Sequence, residues 1–426
     1  MREPSTRVTR TVVHMFDSRR VGRYLPGLVD DVIYSHPMST WPGVKVLATA
    51  ATVLLLAGCT SVTIATTPSP NATAIPTPTS TPEPSPSPTV RTSPFTGRPE
   101  SAPAPVLIVK LDNTRNAQPH AGLSQADIVF VEEVEWGLNR LAAVFSSSIP
   151  ERIGPVRSAR ISDIDLVAQF GEPAVAFSGA QHKLWPALEA ASFIDVSANK
   201  GGTGYSRDRG RRAPYNYFAD GTTLLERADG RESSSRDIGF VFAEQAPAGG
   251  RPATSVKANW PYAKMRFAYD PASGMYAVGM DGHEAMAEET NSPQQASTVI
   301  IQYVDQSDSG YGDRGGGHTP LLKTTGSGTG VVLRDGQAWD VLWSRPDEAS
   351  GTTWTLGDGT PMPFKPGQQW IVLMNKKTPV KVFPEAASPS ADRPSGSDES
   401  ATGAPPSASA PARPATASAA PSASRS

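Results

Sequence analysis

Two patterns of hydrophobic positions alternate in the first half of the chain. Short β-branched apolar runs at 106–111, 126–134 and 174–178 predict buried strands. Apolar residues recur at helical spacing over 162–170 and 183–191, which predicts two helices. Strands that alternate with helices indicate an α/β N-terminal domain whose sheet is largely covered.

From about residue 256 the pattern changes to strands joined by tight turns. Residues 265–278 predict a hairpin around Pro-Ala-Ser-Gly, and 330–343 place Asp-Gly between two apolar runs. Residues 354–364 turn at Gly-Asp-Gly, and 298–304 and 369–374 are further apolar runs. The sequence therefore predicts a mostly antiparallel β C-terminal domain.

These two domains, which we place at 105–255 and 256–383, lie between flanks of a different composition. Residues 59–104 and 384–426 are rich in Pro, Ser, Thr and Ala and contain few large apolar side chains. Such segments cannot bury enough apolar surface to offset the entropy lost on ordering. We therefore expect a disordered tether before the domains and a disordered tail after them.

The N-terminal region has the organisation of an export signal. Residues 46–56 form an uncharged apolar run that is too short to span a bilayer. The run ends in the sequence LAGC, which resembles a bacterial lipobox, and Cys59 is the single cysteine of the chain. We predict that 1–58 is a signal region, with translation starting at Met38. The prediction is a lipid on Cys59 that anchors an extracytoplasmic protein to the cell membrane, without disulfides or thiol chemistry.

Charge and motif spacing disfavour several other partners. The net charge of -2 lacks the basic excess expected of a nucleic-acid binder, so we predict no nucleic-acid partner. A literal G-x-G-x-x-G at 310–315 follows a polar loop and precedes no helix start, so we predict no cofactor there. We predict no metal site, because the histidines of the folded part are widely separated: His120, His182, His283 and His318.

The densest group of arginines lies in the stretch ERIGPVRSARISDIDL, residues 151–166. Gly154-Pro155 suggests a helix entrance, and a helix from there to residue 170 would direct Arg157 and Arg160 inward at its positive end. Cations in that position need an anion nearby. The anion belongs either to the protein, as Asp112 and Glu135, or to a ligand bound at the edge of the sheet. Both interpretations can hold at once if the carboxylates orient the arginines toward a ligand.

Several motifs together resemble those of the YerB-like bacterial lipoproteins. They are LDN at 111–113, GLSQADIV at 122–129, EWGLNR at 135–140, IGPVRSAR at 153–160 and RRAPYN at 211–216. GSGTGVVLRDGQ and KPGQQWIVL resemble the C-terminal domain of that family. The resemblance implies an exported, lipid-anchored, two-domain protein and carries no catalytic roles. The matching positions are Asp112, Asn113, Glu135, Arg140, Arg157, Arg160, Arg212 and Asn216, and the departures from the pattern are Val131 and Tyr215.

Three functional hypotheses follow. In the first, the α/β domain binds an anionic or glycan ligand of the cell wall through Arg140, Arg157, Arg160 and Arg212, with Asn113 and Asn216. In the second, the protein is an envelope hydrolase or transferase with Glu135 and Asp112 as acid and base. In the third, it is a scaffold that docks another envelope protein through exposed tryptophans of the β domain, Trp339, Trp343, Trp354 and Trp370. The sequence leaves open whether the protein is an enzyme.

Overall fold

A computed structural model describes residues 91–313 and 315–384. The signal region, Cys59, most of the tether and the C-terminal tail lie outside the described residues, as does Arg314. No helix in the described ranges is long and apolar enough to cross a membrane.

The described chain contains twenty strands, three α-helices and five short 3-10 helices. The strands are β1 Leu107–Asp112, β2 Ile128–Glu133, β3 Asn139–Phe145, β4 Ala174–Ala176, β5 Ile194–Asp195, β6 Tyr205–Arg207, β7 Tyr217–Ala219, β8 Arg251–Pro252, β9 Ser255–Asn259, β10 Lys264–Asp270, β11 Met275–Met280, β12 His283–Glu284, β13 Gln295–Ala296, β14 Thr298–Gly312, β15 His318–Lys323, β16 Gly326–Arg334, β17 Gln337–Arg345, β18 Thr353–Thr355, β19 Gln369–Asn375 and β20 Lys381–Phe383. The α-helices are α1 Ser162–Ala168, α2 Trp185–Glu189 and α3 Gly221–Ala228. The 3-10 helices are Arg115–Ala117, Leu123–Gln125, Glu135–Gly137, His182–Leu184 and Ala198–Lys200.

Both halves of the chain contribute to one mixed sheet of twelve strands. Its order is β18-β17-β16-β14-β19-β2-β3-β1-β4-β5, with β15 on β14 and β8 on β17. The halves meet where β19 pairs in parallel with β2, with Trp370 opposite Val129. The predicted fold class is confirmed, since helices are confined to the first half and the second half is mostly antiparallel.

A second sheet and the helices cover the two faces of the mixed sheet. The second sheet has the order β12-β11-β10-β9-β20, with β13 on β11. Leu107 and Val109 of β1 pack on one face with Val256 and Phe267 of the second sheet. Their neighbour Ile108 points the other way and packs in the cluster that contains the buried residues of α1 and α2. The candidate site lies at one end of the central strands of this covered sheet.

The predicted helix start at Gly154-Pro155 is wrong. Residues 152–160 are irregular or extended, and α1 begins only at Ser162. The backbone amides of this segment donate to distant carbonyls instead of forming helical bonds: Val156 to Tyr217, Arg157 to Lys110 and Ala159 to Gly179. Arg157 and Arg160 therefore lie on a non-helical segment that crosses the ends of the strands, and only Arg160 is near a helix start, two residues before Ser162.

Candidate functional site

Strand register brings charged side chains together at the end of the central strands. Arg140 on β3 lies directly opposite Asp112 on β1 and Glu132 on β2, so the three side chains share one face. Lys110, two residues before Asp112, lies on the same face, which α1 covers. With Glu135, Arg157, Arg160 and Asp163, these residues form what we call the charge cluster.

Arg157 forms an ion pair with Asp112. Its Nε lies 2.5 Å from Oδ2 of Asp112, at an angle outside the hydrogen-bond range. The other carboxylate oxygen accepts from the backbone amide and the hydroxyl of Thr114, at 2.7 and 2.6 Å. His120 is buried and its Nε2 lies 2.6 Å from the carbonyl oxygen of Asp112. Burial lowers the pKa of His120, so it is neutral and donates through Nε2.

Arg160 and Glu135 form a bidentate ion pair. Nε and Nη2 of Arg160 donate to the two carboxylate oxygens of Glu135 at 2.6 and 2.7 Å. The hydroxyl of Thr319 donates to the same carboxylate. Burial opposes ionisation of Glu135, but the bonds and the charge of Arg160 outweigh it and hold the pKa below its usual range. The carboxylate is thus ionised and its oxygens are occupied.

A second, deeper layer of the charge cluster was not identified from the sequence. Nζ of Lys110 lies 2.6 Å from Oε1 of Glu132 and 2.6 Å from Oδ1 of Asp163, and all three side chains are buried. Oδ2 of Asp163 accepts the backbone amide of Arg160 at 2.6 Å. Burial and the nearby Asp163 raise the pKa of Glu132 to about 8. The sequence feature that could have identified this layer is Lys110, the single charged residue within the apolar run VLIVKL.

Arg140 lies between the two outer ion pairs, Arg157–Asp112 and Arg160–Glu135, and the deeper layer around Lys110. Most of its N–H donors have no acceptor among the described residues. Its Nη1 donates to the carbonyl oxygen of Ser158 at 2.8 Å. Burial, with the charges of Arg160 and Arg157, lowers the pKa of Arg140. In residues 91–313 and 315–384, no acceptor has hydrogen-bond geometry to its Nε or Nη2, or to Nη1 or Nη2 of Arg157. These guanidinium groups therefore keep free donors among the described residues.

A cavity of about 670 Å³ lies between residues 116–119 and residues 211–215. Tyr215 lines it, and the guanidinium of Arg157 lies 5.9 Å from the centre of the Tyr215 ring. The exposed Arg212 also lines it, and its side chain has no partner among the described residues. Arg211, on the same wall, is held by the carbonyl oxygens of Ala117 and Pro119 and by Glu288. Arg212 thus lines the cavity with its charge unpaired among the described residues.

The two predicted asparagines lie elsewhere. Asn113 is buried, and its amide donates to Oδ1 of Asn139 at 2.6 Å, on the opposite face of the sheet from Arg140. Asn216 accepts from Nη1 of Arg207 at 3.0 Å. Neither side chain contacts an arginine of the charge cluster, so their predicted role in ligand binding stays a prediction.

Trp136, which follows Glu135, is a further residue that the sequence did not single out. It is 51% exposed and adopts a φ of 66°, which is rare for an aromatic residue. Its indole Nε1 donates to Oδ2 of Asp313 at 2.8 Å. Asp313 belongs to the literal G-x-G-x-x-G at 310–315. This stretch begins at the end of β14 and leads into β15, so it connects two antiparallel strands, whereas a nucleotide-binding loop connects a strand to a helix.

The tryptophans proposed for protein docking are buried. Trp339, Trp343 and Trp354 are each 3% exposed, and Trp370 is fully buried. They pack in the cores on the two faces of the mixed sheet. These side chains therefore form no surface to which another envelope protein could dock.

No group of three or more metal-binding side chains occurs within the part of the chain that the structure describes.

The fold and the site define a class: two-part proteins with a mixed sheet shared by both halves and a buried arginine–carboxylate cluster at the strand ends. Family models described as "Protein of unknown function (DUF3048)", N-terminal and C-terminal domains, match residues 95–234 and 254–371. Together they cover well over half of the chain, which therefore belongs to this family.

Two comparisons with one relative, the YerB protein of Bacillus subtilis, support the same assignment. A Bacillus subtilis (strain 168) protein named "Putative lipoprotein YerB" is 48% identical over 56 residues, which are 13% of this chain and 17% of that protein. The crystal structure of the YerB protein from Bacillus subtilis matches with a TM-score of 0.59 and 21% identity, over 69% of this chain and 99% of that one. The structural match shows the fold, and the expected resemblance to YerB-like proteins is confirmed.

Proposed function

We propose that this protein is a lipid-anchored, extracytoplasmic protein of the cell envelope that binds an anionic group of a wall polymer. The observation that carries the proposal is the set of free guanidinium donors on Arg140 and Arg157, together with Arg212, which lines a cavity with Tyr215, whose ring centre lies 5.9 Å from the Arg157 guanidinium. Guanidinium groups bind carboxylate and phosphate through paired hydrogen bonds, so these donors fit an anion of that kind.

The carboxylates of the site act as orienting groups in this proposal. Asp112 holds Arg157, and Glu135 holds Arg160 through both oxygens. A general acid needs a proton at neutral pH, whereas the lowered pKa of Glu135 keeps it ionised. A general base needs a free lone pair facing the substrate, and three of the about four lone pairs of Glu135 already accept bonds, two from Arg160 and one from Thr319. The contacts therefore favour binding over acid–base catalysis.

Binding should depend on the arginines that retain free donors. We expect the double variant Arg157→Gln, Arg212→Gln to bind purified phosphate-bearing or carboxylate-bearing wall polymer at least about 100-fold more weakly, since it removes two charge-assisted bonds of about 1.5–3 kcal/mol each. Equilibrium titration with each polymer measures the affinity. Arg209→Gln is the matched control, because Arg209 is exposed on the same loop and lines no cavity near the site. Unchanged affinity in a folded double variant would refute the proposal.

The anchor is proposed from the lipobox-like sequence and from the lipoprotein name of the YerB relative. We expect Cys59→Ala to abolish incorporation of labelled fatty acid and to move the protein from the membrane fraction to the soluble fraction. The acyl chains supply the membrane affinity, and no other cysteine can carry them. Fractionation of cells that express each form is the measurement. Label retained by the Cys59→Ala variant would show that the anchor lies elsewhere.

A further inference from the structure

A second set of cations lies on the outer face of the second sheet, away from the charge cluster. Lys257 on β9 is directly opposite Arg266 on β10 and Lys381 on β20. Lys264 lies two residues before Arg266 and therefore points to the same side. We call these four residues the basic face. All of them except Lys381 line a single cavity of about 340 Å³.

The basic face is not neutralised by the protein. None of its four cations forms a salt bridge with an acidic side chain in residues 91–313 and 315–384. The ammonium of Lys257 lies 4.9 Å from the ring centre of Phe383. Glu284 on β12 is the acidic residue that lines the cavity. Like charges directly opposite on neighbouring strands destabilise a sheet, so this arrangement costs stability that no ion pair of these cations offsets.

The shape of the face is a shallow groove. Its floor is made of small side chains where β10 and β11 pair, with Ala268 opposite Ala277 and Gly279 opposite Arg266. The opposite side of the same strands is buried in the core through Met265, Phe267 and Val278. The cations therefore stand on a rigid surface beside a recess that larger side chains would fill.

We infer that the basic face is a binding groove for a linear polymer that carries phosphate groups. Unpaired cations about one strand spacing apart, roughly 5 Å, can contact successive anionic groups along a chain. A membrane surface is a poorer fit, because docking on lipid combines basic residues with several exposed apolar side chains. On the strands of this face, Phe383 is the exposed large apolar residue, and Lys257 covers its ring. The β9–β10 turn adds Tyr262, which is 70% exposed, so the face offers one uncovered aromatic side chain.

Calorimetric titration of the full chain in uncharged detergent with long-chain polyphosphate tests the inference. We expect Lys257→Gln, Arg266→Gln to weaken binding about 25-fold at low salt, at about 5-fold for each cation lost. The slope of log affinity against log salt should fall by roughly two. The control Lys323→Gln, Lys377→Gln removes the same charge from exposed positions away from the groove and should bind as the parent does.

Stability provides a second readout that separates binding from folding. Because the variant removes charges that repel one another, we expect its thermal unfolding temperature to equal or exceed that of the parent. Unchanged polyphosphate affinity in this folded variant would overturn the inference. Tighter binding to phosphatidylglycerol vesicles than to polyphosphate at equal phosphate concentration would also overturn it, in favour of a membrane surface. These variants leave Arg157 and Arg212 intact, so this inference and the proposed function fail independently.

Discussion

Replacing Lys110 with Met is expected to lower the free energy of unfolding by about 3–5 kcal/mol at pH 8. The side chains have similar length, so the change removes the charge with little loss of volume. It leaves Glu132 and Asp163 side by side in a buried site with no cation between them. Taking one partner from a buried ion pair costs more than the pair contributes, because the remaining charge stays desolvated. Urea denaturation at fixed pH measures the effect.

The pH dependence of this loss identifies its cause. In the folded protein the pKa of Glu132 is raised from 4.5 to about 8, so its ionisation costs stability progressively over that range. Without Lys110 the pKa of Glu132 rises further, because the cation no longer offsets the desolvation of the carboxylate, so the two proteins differ in protonation of Glu132 only as the pH rises through about 8. The deficit of the Lys110→Met variant should therefore be larger at about pH 9 than at about pH 6, where Glu132 is protonated in both proteins.

A triple variant separates charge from packing. Lys110→Met, Glu132→Gln, Asp163→Asn keeps side chains of similar shape and carries no buried charge, so we expect it to recover most of the lost stability. An asparagine at 163 can still accept the amide of Arg160 through its side-chain oxygen. A deficit that is the same at both pH values and persists in the triple variant would show that packing, not charge, is responsible.

The elements of this fold were largely predictable because their periodicity is local. The apolar runs at 106–111 and 126–134 became β1 and β2, and the turns at Pro-Ala-Ser-Gly and Asp-Gly became the β10–β11 and β16–β17 hairpins. The parallel pairing of β2 with β19 was not predictable, since it joins segments more than 200 residues apart. Such pairings depend on which faces pack together, and no short window of sequence contains that information.

The candidate site, like the fold, was predictable where the signal is local and unpredictable where it depends on distant segments. The period-two rule and the end of the first strand placed Glu135 and Asp112 near the arginines, and the structure pairs each of them with one arginine. The predicted helix failed because the amides that would have formed it bond to carbonyls of β1, β7 and the segment after β4. Arg152, adjacent in sequence, pairs with Asp208 and Glu288 on other loops. The protein thus supplies an anion to both Arg157 and Arg160, whereas Nη1 and Nη2 of Arg157 and two of the three nitrogens of Arg140 have no acceptor among the described residues.

The Glu135→Gln variant tests that division of roles and is expected to lose about 3 kcal/mol of stability at pH 7. Glutamine matches the shape of glutamate, but it leaves Arg160 without a counterion and turns an amide N–H toward an arginine N–H. Because the folded-state pKa of Glu135 is lowered, its contribution is present above the ordinary value of 4.5. It is lost as the pH falls through the lower folded-state pKa. The difference between parent and variant should therefore shrink on acidification through this window.

Glu189→Gln is the matched control, since Glu189 is 59% exposed and pairs with Lys200 at 3.5 Å. An exposed pair of this kind contributes at most about 1 kcal/mol, so this variant should unfold as the parent does. Urea denaturation at pH 7 and at pH 3 to 4 compares the three proteins, and turnover on envelope glycans and phosphate polymers is assayed in parallel. Parent-like stability of Glu135→Gln, together with lost turnover, would assign Glu135 to acid–base chemistry. Lost stability, with no turnover by the parent, would assign it to holding Arg160 in place.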